Sequence, residues 1–248
     1  MMKKQRTLVI SDIHGCLRPF EALLARCGYE PEQDQLILLG DFVDKGPQSK
    51  EVVDKVRQMV RREGVIALRG NHDQRLLDMA LSSDPTAVAK FMLHGGRATA
   101  QSYLETDFGG EWELSERLPE LRRKLQTDYA EHLAFLNGLP YYYEGPRHIF
   151  VHAGLDPAYP DWRKQPVRQF MYIKESFYRH RTQVAKTVVF GHTKTVDLHG
   201  KPDIWFGGDK IGVDGGCSSG LQLNALAIRE DGGYDTYAVP ADVRESLR

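Results

Sequence analysis

Thr7-Leu8-Val9-Ile10-Ser11-Asp12-Ile13-His14-Gly15 decides how the chain is read. Thr7 to Ile10 are apolar and largely β-branched, the composition of a buried strand. The run ends in Asp-x-His. Residues two apart in an extended chain point to the same side, so Asp12 and His14 are expected to project together from the strand's carboxyl end. A carboxylate converging with an imidazole is a natural start for a metal site. Gly15 then permits a tight turn into the next element. Asp-x-His also arises by chance, so the rest of the chain must carry the argument.

Moving outward, Leu17 to Gly28 reads as a helix, with Pro19 in its first turn and Gly28 as its C-terminal cap. Gln35 to Leu39 is a second strand ending in Gly40-Asp41. A loop from Phe42 to Pro47 carries Asp44 and Lys45, and an amphipathic helix runs from Gln48 to Arg62. Val65 to Leu68 is a third strand, ending in Arg69-Gly70-Asn71-His72. This β-α-β-α-β alternation predicts parallel strands with helices packed on them.

From about Gln74 to Asn137 no strand is convincing, and helical patterns interrupted by Gly95-Gly96 and Gly109-Gly110 dominate. An inserted helical segment, about 80–137, is expected as a cap or wall beside the site. Its charged stretch, Glu113 to Lys124, reads as a solvated helix face, and His94 reads as a polar loop residue. Strands resume at Tyr141 to Glu144, where consecutive tyrosines fit a strand better than a base-stacking platform, and at His148 to Val151, before His152-Ala153-Gly154. Pro166 to Tyr178 is expected to be one helix. Thr187 to Phe190 is a strand leading to Gly191-His192-Thr193, and four further strands close a β-rich tail: Ile204 to Phe206, Ile211 to Val213, Leu223 to Ile228 and Tyr234 to Val239.

The chain has 248 residues and a net charge of −1. That length suits one large domain, 1–248, with the insertion inside it, and the charge recommends no stable nucleic-acid partner. Cys16, Cys27 and Cys217 form neither a disulfide framework nor a paired zinc motif. No run is long enough for a signal peptide or a membrane span, so the expectation is a cytoplasmic protein without a membrane partner. Oligomeric state is left open.

Five strand ends carry polar, metal-capable residues beside glycine: Ser11 to Gly15, Gly40 to Gly46, Gly70 to Asp73, His152 to Gly154 and Gly191 to Thr193. Ligands of open α/β sheets gather beyond the carboxyl ends of strands, which would pool Asp12, His14, Asp41, Asn71, His152 and His192 in one crevice. Mixed oxygen and nitrogen donors suit manganese, iron, zinc or nickel better than calcium.

These five motifs, in this order, resemble those of the calcineurin-like metallophosphoesterases, and specifically their phosphoprotein phosphatase branch. Its bacterial and phage relatives include serine/threonine phosphatases and symmetrical diadenosine tetraphosphate hydrolases. The resemblance spans residues 7 to 228. It implies a four-layer α-β-β-α sandwich and two divalent ions, with manganese first in order. Asp12, His14 and Asp41 would hold one ion, and Asp41, Asn71, His152 and His192 the other. His72 would be the general acid, oriented by Asp44, which is expected to favour its imidazolium form. Lys45, Asn71 and Lys174 would meet the substrate phosphate, both lysines standing where the family usually has arginine. Ser11 replaces the first glycine of the first motif. The implied activity is hydrolysis of phosphate monoesters on proteins or small molecules. The alternative is symmetrical hydrolysis of dinucleoside tetraphosphates such as diadenosine tetraphosphate, or hydrolysis of nucleotide-capped RNA ends.

Overall fold

The computed structural model describes residues 4–242, so the two ends of the expected 1–248 domain lie outside the described residues. Two five-stranded sheets form its centre. The first contains β1 (Arg6–Ile10), β2 (Asp34–Leu38), β3 (Ile66–Ala67), β9 (Gln222–Arg229) and β10 (Tyr234–Pro240), in the order β10-β9-β1-β2-β3. The second contains β4 (Tyr142–Glu144), β5 (His148–Val151), β6 (Thr187–Phe190), β7 (Trp205–Phe206) and β8 (Lys210–Gly212), in the order β4-β5-β6-β8-β7. β1, β2 and β3 are parallel, as are β5, β6 and β8, while β9, β10, β4 and β7 run antiparallel to their neighbours.

Alternation along the strands assigns the layers. On β1, Leu8 and Ile10 face α1 (Leu17–Cys27) and α2 (Ser49–Glu63), meeting Phe20, Leu23, Val52 and Val56. Val9, between them, faces the second sheet with Ile37 and Leu226, against Phe150, Val189 and Ile211. On β5 and β6, Ile149, Val151, Val188 and Phe190 turn outward onto Trp162, Phe170 and Phe177. The period of two thus builds helix, sheet, sheet, helix. Each fully buried Leu, Ile or Phe contributes roughly 1.5–3 kcal/mol.

α1 ends at Gly28 in the left-handed conformation, with φ 57°, as the sequence predicts. The helical segment comprises α3 (Asn71–Leu81), α4 (Pro85–Leu93), α5 (Gly96–Leu104), α6 (Glu111–Thr127) and α7 (Ala130–Gly138). It shares one apolar cluster with α1 and α2, through Leu76, Phe91, Tyr103, Leu121 and Leu136.

Two local expectations are corrected, and one short helix was not expected. α3 starts at Asn71, because the Asp73 carboxylate accepts from Gly70 N–H at 2.9 Å and closes the first turn. The helix expected over Pro166 to Tyr178 splits into α8 (Val167–Tyr172) and α9 (Glu175–Tyr178). Ile173 between them is extended, with φ −61° and ψ 144°, and buries its side chain beside Phe170 and Phe177. α10 (Thr195–His199) had no separate sequence signal, being only five residues long.

Candidate active site

The loops after β1 and β2 are laced by backbone bonds. His14 N–H donates to Asp41 C=O at 2.9 Å, Gly15 N–H to Phe42 C=O at 2.9 Å, and Gly46 N–H to His14 C=O at 2.9 Å. Only glycine fits at 46, where a Cβ would stand 2.1 Å from the His14 carbonyl oxygen. Asp12, His14, Asp41, Asp44, Lys45 and His192 all have positive φ, between 47° and 71°. Such backbone costs of order 1–3 kcal/mol per residue and collects at functional sites. The route by which Asp12 meets His14 is therefore corrected: β1 stops at Ile10, and two left-handed residues, not an extended strand, converge the side chains. Asp73 braces the arrangement, accepting from both Asp41 N–H and Phe42 N–H at 2.9 Å.

Asp41 stands at the centre. Its Oδ2 lies 3.5 Å from His14 Nε2 and 3.5 Å from His152 Nε2, with His72 Nε2 at 4.0 Å. Its Oδ1 accepts from His72 N–H at 2.8 Å. The ring of His14 donates from Nδ1 to Val43 C=O at 2.8 Å, and that of His152 from Nδ1 to Leu39 C=O at 3.0 Å. These bonds fix the tautomers, so both Nε2 lone pairs face the carboxylate. Metal-binding histidines are oriented in this way by their other nitrogen. Asp12 Oδ1 is 3.8 Å from His14 Nε2, and its Oδ2 accepts from His192 N–H at 2.9 Å.

Two clusters result, and within each the candidate ligand atoms lie within 4.8 Å of one another: His14, Asp41 and His72, then Asp41, His152 and His192. The residues fit cations on two observations. One end of the Asn71 amide faces both His192 Nδ1, at 2.8 Å, and His152 Nε2, at 3.0 Å. With oxygen there, three lone pairs converge, an arrangement that asks for a cation. Finally, the Lys45 ammonium sits 2.8 Å from His14 Nε2, a positive charge drawn to that lone pair.

Burial pushes the Asp41 carboxyl well above the usual range, and Asp12 and Asp73 add to this. Burial and the nearby Lys45 ammonium hold His14 down at about 3, so its ring is neutral and able to ligate. His72 Nδ1 is 2.7 Å from Asp44 Oδ2. The expected imidazolium is not found: burial, with His14, Lys45 and Arg75 alongside, keeps His72 far below the ordinary imidazole range. Asp44 is itself raised by burial.

The crevice holds about 450 Å³ and is lined by Asp12, His14, Asp41, Lys45, Asn71, His72 and His192 among others. His152 lies beneath it, fully buried. Lys174, exposed at the start of α9, joins the rim. So does His94, read from the sequence as a polar loop residue; its ring centre is 6.3 Å from that of His72. Tyr141 to Tyr143 do not line this crevice: Tyr142 packs on Trp162 and Phe170, and Tyr143 on Phe150.

Several residues escaped the sequence reading. Thr99 of α5 donates to Asp44 Oδ1 at 2.7 Å and accepts from Asp44 N–H at 2.8 Å, so the helical segment fastens the residue that orients His72. Nothing near Thr99 in sequence signals this. Asp73, as the acid closing a helix's first turn, was legible. Arg75, Lys194 and Asp214 also line the crevice. Arg75 could have been found from its spacing, one helical turn after His72.

Comparison with known proteins agrees with the fold. A family model described as calcineurin-like phosphoesterase matches residues 5–216. The asymmetrical bis(5'-nucleosyl)-tetraphosphatase PrpE of Anoxybacillus flavithermus is 26% identical, over 94% of this chain and 93% of its own. Serine/threonine-protein phosphatase 1 of Salmonella typhimurium is 28% identical, over 75% of this chain and 77% of its own. Among solved structures, a metallophosphoesterase from Sphaerobacter thermophilus superposes with a TM-score of 0.55 at 23% identity, covering 98% of this chain and 90% of its own. Among the described residues, no helix is long and apolar enough to cross a membrane.

Proposed function

The chain belongs to the calcineurin-like phosphoesterases and is a phosphoester hydrolase, and from that premise we propose that it cleaves phosphate monoesters, on proteins or small molecules, at a dinuclear metal site. The single observation carrying this is Asp41 Oδ2, placed 3.5 Å from each of two histidine lone pairs that are locked from behind. One carboxylate would then serve two cations. Asp12, His14 and Asp41 would hold the first, and Asp41, Asn71, His152 and His192 the second. The oxygen and nitrogen donors suit manganese, with iron, zinc or nickel as alternatives. Such ions supply Lewis acidity and a water that ionises near neutral pH.

The chain's own residues do the rest. Lys45 leaves His14 Nε2 for a phosphate oxygen and offers it a point charge. Asn71 and Lys174, which line the same crevice, meet the same phosphate. Asp44, held by Thr99 and Ser49, fixes the His72 ring through Nδ1. His72 Nε2 then faces the leaving oxygen. Burial and the surrounding cations depress this ring; an incoming dianion counters the cations and so favours a proton on Nε2 for the leaving group. Attack on phosphorus is assigned to water, and no covalent phosphoenzyme is expected.

Hydrolysis of dinucleoside tetraphosphates or of nucleotide-capped RNA ends is the second reading. The matched tetraphosphatase and the crevice volume of about 450 Å³ favour it. With manganese, the first reading expects an aryl phosphate and a phosphopeptide to be turned over with higher kcat/KM than diadenosine tetraphosphate or capped RNA. The reverse order replaces it with the second reading. No turnover of any of the four would sink both.

A further inference from the structure

α3, α4 and α8 frame a second opening beside the crevice. It holds about 320 Å³, and Arg75, Asp78, Lys90, Val167, Arg168 and Tyr172 are among its walls. Arg75 lines both spaces, so the two adjoin at that residue. Three of these side chains are cations and one is an acid. Asp78 accepts from Gln74 Nε2 at 2.8 Å. Among the described residues, none of Arg75, Lys90 and Arg168 forms an ion pair with a carboxylate. Lys90 and Arg168 are exposed. The opening is therefore a positive patch next to the site, and it attracts an anionic group.

The remaining walls limit which anion fits. Arg75 and Arg168 both lie over the Tyr172 ring, 5.5 Å and 4.9 Å from its centre. A ring occupied by two guanidinium groups is poorly placed to stack a base, the contact by which aromatic side chains hold nucleotides. Apolar side chains lie open along the way. Leu93 is exposed where it lines the crevice, and Val167 where it lines the second opening. Lys90 and Leu93 are three apart on α4 and so are neighbours on its surface. Apolar contacts interleaved with unpaired cations suit a polypeptide that carries carboxylates.

We infer that this opening binds a carboxylate of the polypeptide that bears the phosphate, so that phosphopeptides with glutamate or aspartate close to the phosphorylated residue are preferred substrates. The inference rests on the monoester reading and narrows it. The phosphate occupies the crevice, and the carboxylate reaches Arg168 and Lys90 beyond Arg75. Neither Arg168 nor Lys90 lines the crevice, so they can be changed without touching the residues that meet the phosphate.

Four phosphothreonine peptides test this, with glutamates before the phosphothreonine, after it, on both sides, or replaced by glutamines. Turnover with manganese is compared in wild type and in a variant carrying both Arg168→Ala and Lys90→Ala, with an aryl phosphate as reference. Wild type should favour the best glutamate peptide over the glutamine peptide about 3–10-fold in kcat/KM, the range of two exposed charge pairs. The difference should lie in KM and shrink at raised salt. The double variant should lose the preference and keep the wild-type kcat/KM on the aryl phosphate. Arg168→Lys alone should retain most of it. A wild type that shows no preference among the peptides, or turns over none of them, overturns the inference. So does an equal preference in the double variant. A double variant impaired on diadenosine tetraphosphate, with the peptide preference intact, overturns it too and assigns the opening to a nucleotide. The monoester reading fails on a different comparison, that of aryl phosphate with diadenosine tetraphosphate in wild type.

Discussion

β5 carries one buried histidine at its first residue, His148, and another just past its last, His152, and only the second belongs to the site. His148 Nε2 is 2.8 Å from the Tyr234 hydroxyl and has what a core histidine needs. His152 Nε2 faces a carboxylate and an amide instead, while its Nδ1 is held by the Leu39 carbonyl. Burial is the same in kind for both. What separates them is the partner: a lone pair aimed at other lone pairs marks a place for a cation, and one paired with a hydroxyl does not. The end of the strand matters too, because the loops that deliver Asp12, Asp41 and Asn71 all leave the carboxyl edge.

The comparison breaks most visibly at Asp41. Asp41→Asn keeps the shape and removes the charge shared by two nests, and kcat on an aryl phosphate should fall by several orders of magnitude. Retention of near-normal turnover would remove the distinction between the two ends of β5. Next comes His72. His72→Asn should lower kcat about 10²–10⁴-fold on an alkyl phosphate, and distinctly less on an aryl phosphate, whose leaving group needs little protonation. Equal losses on both would assign His72 to phosphate or water positioning.

Lys45→Ala should lower kcat/KM on an aryl phosphate by about 10–150-fold, the worth of one charge-assisted hydrogen bond. Metal analysis should find the metal content retained. Equal kcat/KM in variant and parent would show that Lys45 does not touch the phosphate.

The smallest effect sharpens the comparison from the other end. Burial, reinforced by Arg147, holds His148 down at about 4, below the ordinary 6.5. The unfolded chain therefore binds more protons between these values. The stability this residue contributes is present above pH 6.5 and is lost as pH falls toward 4, at most about 3 kcal/mol. Denaturant unfolding in a chelator should show a shallower loss over this range in His148→Phe than in wild type. An unchanged slope would mean that His148 is not the group titrating.

How much of this was legible follows the same division. The buried residues at the strand ends could be read because each sits at a fixed distance from a glycine that its loop requires, as Gly46 shows. The four layers were expected from the family resemblance, and alternation on β1 and β5 shows which side chains build them. The cations of the rim were less legible. Lys45 lay inside a motif, but Arg75 and Lys194 look like any surface cation until the fold turns them inward. Thr99 is 55 residues from the Asp44 it holds, and only packing brings it there. The charge state expected for His72 failed for a related reason. Asp44 was visible in sequence, whereas the depth of burial and the cations around the ring were not.

The central claim is that one carboxylate joins two cation sites. Equilibrium dialysis against manganese, with metal counted per chain, tests it on wild type and Asp41→Asn side by side. The account predicts two ions per wild-type chain, and loss of at least one in the variant. One ion per wild-type chain at full activity, or two retained without the Asp41 charge, would contradict it.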